Sequence, residues 1–117
     1  MTEPIFRLSV VPWPHSDGTR DFHAQISPDS VGLQGVFVDW GSFPSSLAEL
    51  RSDALKPSSK DFEWAGDTVV IKFDEPEVLK LYDNFALMDG LEPEPTLITR
   101  KNFIDLIDQW MKATAHP

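Results

Sequence analysis

The chain has 117 residues, of which 41% are hydrophobic and 25% charged, so it holds one ordinary globular core with no room for a second. It has no cysteine, which excludes a disulfide scaffold, thiol chemistry and cysteine-based zinc or iron–sulfur sites. Nineteen acidic against ten basic residues give a net charge of −9, which disfavours nucleic acid and anionic membranes as partners and favours a basic protein surface.

Met1-Thr2-Glu3-Pro4 opens without the basic start and apolar run of a secretory signal, and no segment has the apolar length of a membrane span. A soluble, cytoplasmic protein is expected. Ile5 to Val11 reads as a strand with Phe6, Leu8 and Val10 on one face, stopped by Pro12-Trp13-Pro14. His15-Ser16-Asp17-Gly18 is turn chemistry, and Asp21 to Ser27 reads as a second strand with Phe22, Ala24 and Ile26 inward. Leu33 to Trp40 is rich in β-branched and aromatic residues and reads as a third, completing an antiparallel meander.

Ser46-Leu47-Ala48-Glu49 has capping-box spacing, which starts a short helix buried through Leu47, Leu50 and Ala54. Asp61 to Trp64 and Thr68 to Phe73 read as a hairpin around Ala65-Gly66-Asp67. Pro76 to Met88 is open between helix and strand. Val78, Leu81, Tyr82 and Phe85 recur at helical spacing before Gly90, and Val78 to Tyr82 reads equally as a strand. Leu91 to Pro95 is an extended loop. Thr99 then stands at a cap position, and Phe103, Leu106, Ile107 and Trp110 define an amphipathic helix to about Lys112. Arg100 and Lys101 fall at its positive end, an unfavourable place that the Glu92/Glu94 loop could offset. The expected architecture is α+β, one domain over residues 1–117, with an antiparallel sheet of about five strands and two or three helices.

No nucleophile elbow and no phosphate-binding glycine loop is present, and paired carboxylates such as Asp105/Asp108 mean little in an acidic chain. The sequence therefore reads as a binding protein without a catalytic site or cofactor. His15, Asp17, Asp21 and His23 form the one cluster with conceivable metal spacing, but they match no ligand motif and read better as surface residues. Trp64 and Trp110 fit core positions, whereas Trp13 is the tryptophan most open to solvent.

The candidate partner-binding stretch is acidic: Asp74, Glu75, Glu77, Asp83, Asp89, Glu92 and Glu94, opposed by Lys80 alone. Tyr82 and Phe85 lie among these carboxylates, so aromatic anchors and steering charges share one segment. A solvated face is the competing explanation.

The segments Phe62-Glu63-Trp64-Ala65-Gly66-Asp67-Thr68-Val69-Val70-Ile71 and Leu97-Ile98-Thr99-Arg100-Lys101-Asn102-Phe103-Ile104-Asp105-Leu106-Ile107-Asp108-Gln109-Trp110 carry a resemblance. A hairpin, then an extended Ile-Thr leading into a closing helix that ends near tryptophan, resembles the small acidic immunity proteins of bacterial polymorphic-toxin and contact-dependent growth inhibition systems. It covers about the last half of the chain. It implies a cytoplasmic inhibitor of one cognate toxin domain, often a nuclease, and brings over no binding residue. The alternative is a small ligand-binding or accessory domain with Trp13, His15 and His23 near a pocket mouth.

Overall fold

The computed structural model describes residues 4–14, 16–18 and 20–115, and among these the chain forms an α+β fold of six strands and four helices. Strands β1 (Arg7–Pro14) and β2 (Arg20–Ser27) pair as an antiparallel ribbon. Helices α1 (Val31–Trp40) and α2 (Pro44–Ala54) follow. Then come β3 (Glu63–Ala65), β4 (Val69–Lys72), β5 (Val78–Asp83), a short α3 (Asn84–Met88), β6 (Thr96–Thr99) and α4 (Arg100–Thr114). The last four strands form one antiparallel sheet in the order β3-β4-β5-β6. No described helix is long and apolar enough to cross a membrane.

The sheet buries one face. Val69, Ile71 and Phe73 lie beside Leu79, Leu81 and Ile98, and the register sets Ile71 against Leu81 and Leu79 against Ile98. On the other face Lys72, Lys80, Tyr82 and Leu97 are exposed or half-buried, the alternation expected of an antiparallel sheet covered on one side. Helix α1 packs on β4 and β5, and α4 packs on α2 and β6. Both also touch the ribbon, so its apolar face (Phe6, Ala24, Ile26) joins the same core. Phe103, Leu106, Ile107 and Trp110 of α4 are all buried, each worth about 1.5–3 kcal/mol, as their spacing predicts. Thr99 caps that helix by accepting from the Asn102 amide, and the Asn102 side chain pins Phe6 through its backbone N–H and C=O.

Five expectations are corrected. Leu33 to Trp40 lies in a helix, not a strand. The Ser30 hydroxyl accepts from the Leu33 amide, and Leu33, Val36, Phe37 and Trp40 recur at helical spacing. Packing on the sheet overrides the β preference of the valines. The close approach depends on two glycines: a Cβ on Gly32 would stand 2.8 Å from the Leu81 Cβ, and one on Gly35 would stand 2.7 Å from the Thr68 hydroxyl. The "about five" strands and "two or three" helices of the sequence reading become six and four among the described residues, in two sheets rather than one meander.

Pro12 and Pro14 do not stop β1, which runs through them opposite Phe22 and Arg20. The Ala24 carbonyl faces away from β1 and accepts from the Gln34 side chain at 2.7 Å. Val10↔Ala24 is therefore a non-hydrogen-bonded pair, and so are the alternate pairs that contain Pro12 and Pro14. The prolines lose no ladder bond there. Helix α2 begins at Pro44, and no side chain caps it, so Ser46 and Glu49 sit inside the helix rather than forming a capping box.

Arg100 is the fifth correction. It is 9% exposed, and its guanidinium donates inward to four backbone carbonyls instead of outward to Glu92 or Glu94. Residues 76–88 contain both elements weighed for them, a strand and then a short helix, with Gly90 at φ +78 after it. Asp53 is also buried, and accepts from the Trp64 indole at 2.8 Å and from Lys56 at 2.9 Å.

Replacing Arg100 by Met should lower stability by about 3 kcal/mol or more, because several buried carbonyls lose their donor at once. Arg100→Lys should recover only part, since an ammonium cannot fork to four acceptors. Gly35→Ala should destabilise by about 1–3 kcal/mol through overpacking, although helix propensity alone predicts a gain of about 1 kcal/mol. Urea unfolding of the variants reads each value, and the sign of the Gly35 result decides between packing and propensity.

Candidate functional site

The eight acidic-stretch residues occupy three places in the fold. Asp74, Glu75 and Glu77 lie in the β4–β5 connection. Asp74 and Glu75 there flank Lys80, with N–O distances of 3.4 and 3.6 Å. Burial works to lower the Lys80 pKa, but the two carboxylates outweigh it and hold the ammonium above its ordinary value. Charge at this end is partly neutralised. Arg100 holds the Glu75 carbonyl, and its backbone amide donates to that of Glu77.

Tyr82 lies on the uncovered face of the sheet, half-buried, with the Lys72 ammonium 5.3 Å from its ring centroid. Asp83, Asp89, Glu92 and Glu94 occur at the opposite end of β5 from Glu77. Asp83 closes the strand and caps α3, accepting from the Phe85 amide at 3.0 Å. The loop that contains Asp89, Glu92 and Glu94 returns from α3 to Thr96, whose register partner is Leu81. Six residues of strand separate the two ends, roughly 20 Å at the usual rise.

The far end combines charge with apolar surface. Phe85 is 57% exposed, and Met88 and Leu91 are exposed as well. Asp89, Glu92 and Glu94 are exposed and have no ion-pair partner among the described residues. The short helix α3 buries none of its residues. This end of the sheet thus presents aromatic and aliphatic side chains among unneutralised carboxylates, the pairing of anchor and steering charge that the sequence suggested.

Phe85 also borders a cleft of about 990 Å³ that opens over α1. Val31, Gln34, Gly35 and Val38 run along its floor, and Arg7, Ser9 and Gln25 of the ribbon form one wall. Thr68 and Phe85 stand opposite, with Asp29 at the start of the helix. Sequence reasoning missed this cleft because it read Leu33 to Trp40 as a strand, which scatters Val31 and Val38. The signal that could have found it is the seven-residue spacing of the two valines behind a serine cap. A smaller depression of about 480 Å³ adjoins β2 near His23 and Trp110. Trp13, exposed as expected, stands edge-on to His23 with ring centroids 5.4 Å apart. His15 lies outside the described residues, and Trp13 and His23 do not line the larger cleft. Among the described residues no group of three or more His, Asp or Glu side chains is placed to hold a metal ion.

Comparison with protein-family models, with curated proteins and with solved structures finds no match to this chain.

The geometry separates structural from free carboxylates. Asp83→Ala should cost about 1 kcal/mol through the lost cap, whereas Glu92→Lys and Glu94→Lys should stay within about 0.5 kcal/mol of the parent. Thermal unfolding of the three variants side by side checks this division. Equal losses at all three sites would mean that the loop carboxylates also hold the fold.

Proposed function

We propose that the protein is an immunity-type inhibitor, which binds a basic cognate toxin domain through the end of the sheet formed by α3 and the α3–β6 loop. The observation that carries this reading is the exposure of Phe85, Met88 and Leu91 among Asp89, Glu92 and Glu94, carboxylates without ion-pair partners among the described residues, on a chain of net charge −9. Apolar anchors in such a patch supply affinity once water is excluded, and the unneutralised charges accelerate encounter with a cationic surface. A toxin domain that acts on nucleic acid carries the required basic footprint. An inhibitor that covers this footprint competes with the substrate by the same charge. The setting proposed is the cytoplasm, where such a toxin meets its target.

Asp74, Glu75 and Glu77 have a secondary part in this proposal, because Lys80 already offsets two of them. Asp83 contributes charge while serving as a cap.

The test is survival of cells that express the C-terminal domain encoded immediately upstream, with and without this protein. Co-expression should relieve killing. The triple variant Asp89→Lys, Glu92→Lys, Glu94→Lys should slow association at low salt by about tenfold or more and lose protection, while Asp74→Lys with Glu75→Lys should retain most of it. A harmless neighbouring domain would overturn the toxin assignment, and undiminished protection by the triple variant would overturn the placement of the interface.

A further inference from the structure

A sheet edge presents a row of unpaired N–H and C=O groups, and native proteins blunt such edges by several devices. Two sheets give this fold four edges among the described residues, and three of them are blunted. On β1, Pro12 and Pro14 stand at outward-facing positions and have no N–H to offer. On β2, the outward Ala24 carbonyl is taken by the Gln34 side chain at 2.7 Å. On β6, the Arg100 amide bonds the Glu77 carbonyl, so by alternation Ile98 and Thr96 bond β5 and Leu97 turns its backbone outward. Pro95 precedes that strand and α4 begins at Arg100, which leaves Leu97 alone in β6 presenting both groups.

The β3 edge has no such protection. The Gly66 amide donates to the Val69 carbonyl at 2.8 Å, and the Phe73 amide to that of Phe62 at 3.3 Å. By alternation Trp64↔Ile71 is the hydrogen-bonded pair within the strand, so Glu63 and Ala65 direct their N–H and C=O groups away from β4. Both residues are exposed, and among the described residues nothing bonds these groups. The residues of the strand then select an occupant. When β3 pairs antiparallel with β3 of a second copy, one register sets Glu63 against Ala65 and Trp64 against Trp64 across the twofold axis. A shift either way sets Glu63 against Glu63 or against Asp67, and like charges directly opposite are destabilising. The favoured register also joins two half-buried indoles. Each is already fixed in its own chain, donating to Asp53 at 2.8 Å and meeting Trp40 edge-on at 5.4 Å. Glu63 lies opposite Lys72 within its own sheet, so this edge is locally balanced on a chain of net charge −9.

We propose that β3 is a self-association edge, at which two copies of the chain join antiparallel through Glu63 and Ala65 into one continuous sheet. The contact is short, with about four backbone hydrogen bonds, so the dimer is weak and reversible. The net charges of the copies repel, and screening by salt therefore favours pairing, the reverse of an association steered by attraction. The edge shares no residue with the α3 end, and the proposal stands whether or not the toxin reading holds.

Sedimentation velocity of the full chain from about 1 μM to about 1 mM reads the association. The average mass should rise from 13.2 kDa toward twice that value, and further when salt is added. Ala65 is exposed, and substitutions there test the register. Ala65→Lys meets Glu63 of the second copy and should tighten the dimer about three- to tenfold, because the twofold axis repeats the pair. Ala65→Glu should loosen it by a similar factor. Ala65→Pro removes an outward donor without touching the β4 ladder and should abolish pairing. Glu92→Lys changes the net charge more than Ala65→Lys does, yet should shift the dimer less than about twofold. Melting curves at about 1 μM, where the chain is monomeric, separate loss of fold from loss of pairing. A monomer at every concentration, equal effects of Ala65→Lys and Glu92→Lys, or a dimer that survives Ala65→Pro would each overturn the proposal. A chain monomeric alone, whose Glu63 and Ala65 amide resonances move when the upstream domain is added, would overturn it in favour of a strand from that partner.

Discussion

The rest of the structure depends on one buried cation. The Arg100 guanidinium reaches Ala54 and Lys56 at the end of α2, Phe73 after β4 and Glu75 in the β4–β5 connection, at 2.8–3.3 Å. Its backbone amide meanwhile donates to the carbonyl of Glu77. Two connections, α2–β3 and β4–β5, that would each have to satisfy their own backbone acceptors are thereby served by one residue at the start of α4. Phe73 packs beneath, its ring centroid 5.8 Å from the guanidinium carbon. Burial pushes the Arg100 pKa down from its ordinary value, but a guanidinium is so strongly basic that the charge persists at any physiological pH. The cation sits in the first turn, where the helix dipole opposes it by about 0.3–1 kcal/mol. Charge-assisted bonds worth about 1.5–3 kcal/mol each outweigh that opposition.

What the sequence shows and what it hides follow from the range of the forces involved. Helix α4 is legible because Phe103, Leu106, Ile107 and Trp110 report their own periodicity, and Thr99 marks where it begins. The β3–β4 hairpin is legible for the same local reasons. Arg100 is not. Its partners lie 25 to 46 residues away in the chain, and a cation at a helix start reads as a misplaced surface residue until those carbonyls are brought together. Helix α1 is hidden by a conflict of levels. Its valines and aromatics favour a strand, and the two glycines that let it lie on Leu81 and Thr68 read as helix breakers. Only the tertiary contact makes them favourable. Pro12 and Pro14 mislead similarly, since their tolerance depends on a register that local sequence does not state.

The candidate site divides the same way. The acidic residues are visible in composition, but the sequence joins what β5 separates. Asp74, Glu75 and Glu77 belong to the stitched end, where Lys80 and the backbone contacts of Arg100 bring cations close. Asp83, Asp89, Glu92 and Glu94 belong to the other end, which no described lysine or arginine neutralises through an ion pair.

That separation has an electrostatic consequence. The two ends are roughly 20 Å apart along the strand, about twice the Debye length at 0.1 M salt. In such salt each end acts on a partner almost independently, so the seven carboxylates of the stretch do not sum into one field. The negative potential that a partner meets is set by the four carboxylates at the α3 end, undiminished by Lys80. The same end holds the exposed Phe85, which opens directly onto the cleft floored by Val31 and Val38. Long-range attraction and short-range apolar contact therefore converge on one side of the molecule, while the opposite end devotes its charges to holding α2, the sheet and α4 together.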